Sequence, residues 1–297
     1  MTPRKNQTAN IKHFPNFIRE RAISTTTTLI VVPCYNEEKR LKVNSFRSFL
    51  KDNADVSFVF VNDGSTDATL ARLIELRDTT QERITVINLP ENQGKAEAVR
   101  QGLMFASGTD ADFVGYWDAD LATPLDAIQD FNRIMRKFRE TAVVYGARRI
   151  LLGHRINRTM SRRVVSRVCA VLARQAIGLP IGDTQCGAKL LRNTQELREV
   201  ISMPFTAGWL FDVELFSRIS AKIKNQRYAF YEQPLAEWEE VAGSNISLQT
   251  ILKSGFRMLT LIAQTRLGIN NPKSIAQAVH TDDQFAIAQH PPLSDVA

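Results

Sequence analysis

From Thr28 onward, short runs of β-branched and aromatic residues alternate with stretches of amphipathic helical spacing, and this alternation restricts the fold more than any other feature. Parallel neighbours need a crossover long enough to return the chain to the same end of the sheet, which a helix provides. The pattern predicts strands at 29–32, 57–61, 84–88, 113–117 and 142–145, with helices between them at 37–50, 67–77, 95–106 and 124–138. Asp67 is placed to cap the second helix, and Pro124 suits the first turn of the fourth. The fold class is α/β with a mainly parallel sheet.

In an open parallel sheet, ligands bind beyond the carboxyl ends of the strands, so polar residues that follow apolar strands are the first candidates for a site. The first strand runs into Pro33-Cys34-Tyr35-Asn36-Glu37-Glu38, the second into Asn62-Asp63-Gly64-Ser65-Thr66-Asp67, the fourth into Asp118-Ala119-Asp120 and the fifth into Gly146-Ala147-Arg148. If strand geometry persists through Ala119, the carboxylates of Asp118 and Asp120 face one side and can share a divalent cation with a diphosphate. Asp63 is either part of a strand-to-helix turn or an acceptor for a pyrimidine or ribose. Asn92-Gln93-Gly94-Lys95 is either an ordinary loop before a helix or a source of backbone N–H groups and a lysine for a nucleotide; it lacks the spacing of a P-loop.

A content of 44% hydrophobic and 23% charged residues supports a packed core, and the net charge of +7 favours anionic partners. Cys34, Cys169 and Cys186 are far apart and the four histidines are scattered, so neither a zinc site nor a disulfide framework is indicated. The polar segment 1–27 contains no apolar core of a secretory signal, and no run approaches the roughly 18 apolar residues that span a bilayer. After Gly146, Arg148, Arg149, Arg155, Arg158, Arg162, Arg163 and Arg167 crowd together while Met160, Val164, Val168 and Leu172 recur at helical spacing, the pattern of a basic amphipathic helix. A strand at 228–234 and a second amphipathic helix at about 248–267 follow, and the tail 269–297 is expected to be disordered.

The ordered set of motifs from Pro33 to Arg148, with Gly94-Lys95 between them, resembles family 2 glycosyltransferases of GT-A fold. Asp183-Thr184-Gln185-Cys186-Gly187-Ala188-Lys189, Phe211-Asp212-Val213-Glu214-Leu215 and Trp238-x-Glu240-x-x-Gly243-Ser244 are similar to the dolichyl-phosphate β-glucosyltransferase and polyprenyl-phosphate glycosyltransferase branch. The resemblance implies a Rossmann-like nucleotide-binding sheet flanked by helices, in a domain at 28–268. Residues 28–150 would form its nucleotide-sugar half and 151–268, with C-terminal acceptor-side helices, its acceptor half. It also implies an inverting transfer, with UDP-glucose as the expected donor and a polyprenyl or dolichyl phosphate as the expected acceptor.

On this resemblance Pro33, Tyr35, Glu37, Asp63, Lys95, Asp118, Ala119 and Asp120 surround the nucleotide sugar, with Asp118 and Asp120 binding Mg²⁺ or Mn²⁺. Arg148 meets the donor diphosphate or the acceptor phosphate, and Asp183 acts as base or as a sugar-orienting group. Gln185, Lys189, Trp238 and Ser244 stand on the acceptor side, against plainer readings of Gln185 as loop, Lys189 as surface and Trp238 as core. Relatives of this kind carry membrane-spanning anchors that this sequence lacks. The chain is therefore expected in the cytoplasm, with peripheral contact at the inner face of the membrane through its two amphipathic helices. A soluble transferase acting on a saccharide or small-molecule hydroxyl, and a nucleotide-sugar binding module without turnover, remain alternatives. Nucleic acid is not an expected partner, because no recognition motif accompanies the charge.

Overall fold

The computed structural model describes residues 28–80, 82–157, 170–171, 173–175, 177–223 and 225–240. Seven strands form the main sheet: β1 (Thr28–Cys34), β2 (Val56–Asp63), β3 (Ile84–Leu89), β4 (Phe113–Trp117), β5 (Val143–Ala147), β7 (Ala188–Arg192) and β8 (Phe230–Pro234), in the order β3-β2-β1-β4-β7-β5-β8. β1, β2, β3 and β4 run parallel, as do β5 and β8, whereas β7 lies antiparallel to both β4 and β5. A small second sheet pairs β6 (Arg155–Asn157) with β9 (Glu237–Glu239).

Helices cover both faces, which is why the strands read as nearly continuous apolar runs. Side chains alternate along a strand. Leu29 and Val31 of β1 point into one core with Val99 and Leu103 of α3 (Lys95–Ser107), Val200 of α5 (Gln195–Ile201) and Phe216 of α6 (Phe211–Lys222). Ile30 and Val32 point into the other, with Phe46 of α1 (Val43–Asp52), Leu73 of α2 (Thr69–Asp78) and Phe131 of α4 (Ala127–Lys137). Phe46 meets Phe58 and Phe60 edge-on at 5.2 and 5.0 Å, and each such pair adds about 0.5–1.5 kcal/mol beyond area burial.

The sequence pattern locates all of the parallel strands but differs in detail from the structure. The helix expected at 37–50 starts only at Val43, because Asn36 adopts a left-handed conformation (φ 52°) and the Glu37 carbonyl accepts the N–H groups of Arg40 and Leu41 in a turn. The strand expected at 228–234 starts at Phe230, after the short α7 (Gln226–Ala229). β7 and the β6–β9 pair were not predicted. Both β7 and β8 come from beyond residue 150, so the two expected halves share one sheet. Among the described residues no helix is long and apolar enough to cross a membrane. The extension 1–27, Ser244, Arg158–Arg167 of the arginine-rich stretch, the 248–267 helix and the 269–297 tail lie outside the described residues.

Candidate active site

The loops leaving β1 and β2 are fastened together, and this fixes the near wall of the site. Asn36 N–H donates to Ser65 Oγ at 3.0 Å, and Thr66 N–H donates to Asn36 Oδ1 at 2.9 Å. Glu37 N–H donates to Thr69 Oγ1 at 2.7 Å. Asp67 Oδ1 accepts Thr69 N–H at 2.9 Å and its other oxygen accepts Glu38 N–H at 3.1 Å, so Asp67 ties the two loops; it is not the cap of α2, whose N-cap is Ala68 without a side-chain bond. Pro33 is half-buried at the end of β1, and Tyr35 stands exposed beyond it.

Asp63 ends β2 nearly closed off from solvent, 2% exposed. One carboxylate oxygen accepts Gln93 N–H at 2.7 Å and the other accepts Gly94 N–H at 2.9 Å. The two N–H groups considered for a nucleotide are therefore engaged by Asp63, which braces the loop before α3. Burial raises the Asp63 pKa, the two N–H groups oppose the rise and Glu97 adds to it. Gly64, at φ 61°, lets the Glu91–Asn92 backbone approach so closely that an added Cβ would stand 2.3 Å from the Glu91 carbonyl carbon.

At the carboxyl end of β4 the strand does not persist through Asp120. Asp118 N–H donates to Gly187 O at 2.9 Å, but Leu121 N–H returns to Asp118 O at 3.2 Å and Leu121 is left-handed, so a turn begins at once. Asp120 Oδ1 accepts Ala122 N–H at 3.0 Å within that turn, and Ala119 is buried. The turn still keeps the acidic pair together. Burial first, and then the Asp118 charge, raise the Asp120 pKa; Lys95 and Arg40 oppose this. Glu37 is buried beside the pair, bonded through Oε2 to Arg40 Nε at 2.8 Å, and its pKa is raised by burial with smaller contributions from Asp120 and Asp118.

Lys95 Nζ sits 2.5 Å from Asp118 Oδ1. Withdrawal from water works against its charge, but Asp118 and then Asp212 outweigh that cost and raise its pKa. An ammonium thus lies against the lip where a cation was expected. Among the described residues no group of three His, Cys, Asp or Glu side chains could hold a metal ion, and the hard donors they bring to this lip are the carboxylates of Asp118 and Asp120. That donor set fits Mg²⁺ or Mn²⁺, which take few protein carboxylates and complete their shell with phosphate oxygens and water. A carboxylate whose proton affinity is raised by burial and then by a neighbouring like charge, as Asp120 is, marks such a place.

The opposite wall is built on Arg148, just beyond β5. Its Nε and Nη2 donate to Asp183 Oδ2 and Oδ1, both at 2.7 Å, and its backbone N–H reaches Asp183 Oδ2 at 3.2 Å. Gln185 N–H adds a bond to Oδ1 at 3.3 Å. Arg148 stacks on Trp238 of β9 at 5.2 Å, and Trp238 is itself buried. Burial disfavours the guanidinium charge, yet Asp183 outweighs it and holds the Arg148 pKa above its ordinary value. Among the described residues the buried Gln185 side-chain nitrogen finds no hydrogen-bond partner.

Gly187 joins the two walls: a Cβ there would stand 1.9 Å from Asp118 Oδ2, so only glycine leaves room for that carboxylate. Lys189, expected on the acceptor side, is wholly buried instead. Across the β4–β7 ladder it faces Tyr116, and its Nζ lies 2.8 Å from Asp212 Oδ1 of α6 while also donating to Cys186 O. Tyr116 donates its hydroxyl to the same Asp212 oxygen, and the Tyr116 and Phe216 rings flank the ammonium at 5.0 and 5.7 Å. Arg40 was not picked out from the sequence. Asp212 and Glu214 of the Phe211–Leu215 motif are both buried with separate partners: Glu214 binds Thr206 N–H, Ala207 N–H and Arg218.

Comparison with known proteins follows the same lines. The family described as Glycosyl transferase family 2 matches residues 29–219. The chain is 28% identical over 281 residues to dolichyl-phosphate beta-glucosyltransferase ALG5C of Trichomonas vaginalis, covering 91% of this chain and 80% of the relative. It is 30% identical to dolichyl-phosphate beta-glucosyltransferase of Saccharomyces cerevisiae, covering 74% and 69%. Among solved structures, glucosyl-3-phosphoglycerate synthase from Mycobacterium tuberculosis, in complex with Mn²⁺, UDP-glucose and phosphoglyceric acid, superposes with a TM-score of 0.58 at 20% identity over 80% of each chain. At that identity the superposition supports the fold, which is GT-A.

Proposed function

This chain belongs to glycosyl transferase family 2, and from that membership we propose that it is an inverting glucosyltransferase moving glucose from UDP-glucose to a dolichyl or other polyprenyl phosphate. The observation that carries the reading is the acidic pair Asp118 and Asp120 at the carboxyl end of β4, already holding the Lys95 ammonium at 2.5 Å. The relatives' names supply the sugar and the acceptor class.

Tyr35 and Pro33 border the nucleotide, over a floor that Asp63 and Glu37 stiffen. Asp118 and Asp120 would hold Mg²⁺ or Mn²⁺, which supplies positive charge to the departing diphosphate. Lys95 adds its own charge on the same side. Arg148 and Asp183 orient the reacting groups, with Gln185 N–H bonded to the same Asp183 carboxylate.

The state of Asp183 favours a phosphate over a hydroxyl acceptor. Its two oxygens already accept from Arg148 N, Nε and Nη2 and from Gln185 N. A carboxylate so engaged is better suited to fixing geometry than to removing a proton. A phosphate monoester, with a second pKa near about 6, is largely ionised at neutral pH and needs no base.

The test is product analysis after incubation with UDP- and GDP-sugars, Mg²⁺ or Mn²⁺, and short polyprenyl phosphates. Glucolipid formed from UDP-glucose is the expected result. Glucosylation of a saccharide or small-molecule hydroxyl, with polyprenyl phosphate untouched, would replace the acceptor assignment.

A further inference from the structure

The loop after Arg148 carries three adjacent aliphatic side chains in water: Ile150 is 64% exposed, Leu151 45% and Leu152 101%. Among the described residues the other large exposed apolar side chains, Tyr35, Phe138, Val171 and Tyr228, stand singly in the sequence, as is ordinary for a protein surface. A contiguous apolar tip is not ordinary. This one is also presented on a fixed base. His154 N–H closes a turn on Leu151 O at 3.1 Å with Gly153 left-handed at φ 81°, His154 Nδ1 lies 2.8 Å from Leu235 O, and Arg155 N–H donates to Ala236 O at 2.8 Å.

Charge identifies the partner. Residues 148–182 contain eight arginines and no aspartate or glutamate. Arg149 and Arg155 flank the tip with side chains 52% and 86% exposed; Glu232 lies 2.8 Å from the first and Glu237 3.8 Å from the second, which tempers but does not cancel the excess. Aliphatic tips with arginine flanks suit a bilayer interface, where the hydrocarbon enters between headgroups and the guanidinium groups meet anionic lipid. A nucleic-acid surface would instead call for aromatic stacking groups, which the tip lacks.

We propose that Ile150-Leu151-Leu152, flanked by Arg149 and Arg155, docks the protein on membranes rich in anionic lipid. Ile150 lies two residues, roughly 7 Å of chain at most, from Arg148. Docking through this tip sets the Arg148–Asp183 wall facing the headgroup layer, where a lipid-borne phosphate resides. Its purpose rests on the lipid-phosphate acceptor proposed above, but the contact itself is measurable without any substrate.

The experiment is flotation of the full chain with vesicles of phosphatidylcholine alone or mixed with phosphatidylserine, at low and high salt. The expected result is binding to the mixed vesicles that weakens with salt, and at least about tenfold weaker binding by the I150S/L151S/L152S variant. The variant should keep its thermal response to UDP and Mn²⁺, which verifies that it is folded. Equal flotation of variant and wild type would overturn the proposal, as would absence of vesicle binding at low salt or binding to an oligonucleotide in preference to the mixed vesicles. Failure of sugar transfer to polyprenyl phosphate, with vesicle binding intact, would count against the acceptor assignment alone.

Discussion

Asp183 and Arg148 form a nearly buried pair, with side chains 11% and 9% exposed. Asp183→Asn leaves the guanidinium without its counter-charge, and removing one partner of a buried pair costs about 3–5 kcal/mol; stacking on Trp238 offsets part of this. The variant should lose stability in urea denaturation and should lose turnover, while the pH profile of its residual activity keeps the wild-type shape. Disappearance of the acid limb would mean that Asp183 takes a proton after all. Gly187 gives the opposite separation. Because the three atoms nearest an added methyl all belong to the half-exposed Asp118 carboxylate, Gly187→Ala should displace that side chain. It should weaken Mn²⁺ and UDP binding by about 10–100-fold, read by calorimetry, with little change in melting temperature. Asp118, Asp120 and Arg148 were visible in the sequence because short polar motifs directly follow apolar strands, whereas Asp183 came only from the resemblance of its motif to the family. Lys189 and Asp212 were misjudged because nothing local marks a lysine as buried; only the β4–β7 register brings it to Tyr116 and the start of α6.

At the scale of elements, two charge contacts hold helices to the sheet. Lys189→Met would strand Asp212 in the core, costing about 3–5 kcal/mol, whereas the double variant K189M/D212L should recover much of the loss. Chemical denaturation of the four proteins gives the coupling directly. On the other face, Asp55 accepts Arg136 at 2.7 Å and Gln129 at 3.0 Å from α4. Partial burial pushes its pKa up, but these partners outweigh that and leave it below the ordinary value. A depressed carboxylate lends stability above its unfolded pKa of about 3.9 and forfeits it as pH falls through the folded value. Asp55→Asn should therefore lower the melting temperature at neutrality and change it little below the folded pKa, so that the melting temperature becomes flatter against pH on the acid side. The parallel strands and their helices were legible from periodicity. The late start of α1 was not, since Glu37 to Leu41 carry helix-forming residues and are held in a turn by contacts with a distant loop, Glu37 N–H to Thr69 among them.

For the molecule as a whole, the acidic lip at Asp118 and Asp120 makes stability a reporter of ligand occupancy. With UDP and Mn²⁺ at about 100 times their dissociation constant, linkage predicts about 2.7 kcal/mol of added stability, seen as a rise in melting temperature. Neither component alone should match the pair, and D118N/D120N should abolish the rise; a shift that survives this double change would move the nucleotide elsewhere. The doubly covered sheet was evident from sequence, but the strand order was not, because β7 is short and carries a lysine that reads as surface. Its position has a consequence for how such proteins can diversify. A strand from the second half of the chain is wedged between two from the first, with ladders to β4 on one side and β5 on the other. The halves therefore cannot be swapped between relatives like interchangeable cassettes, and a recombinant joined near residue 150 must accommodate a foreign strand at the centre of its own sheet. New acceptors would be gained instead by editing the loops around an inherited, indivisible frame.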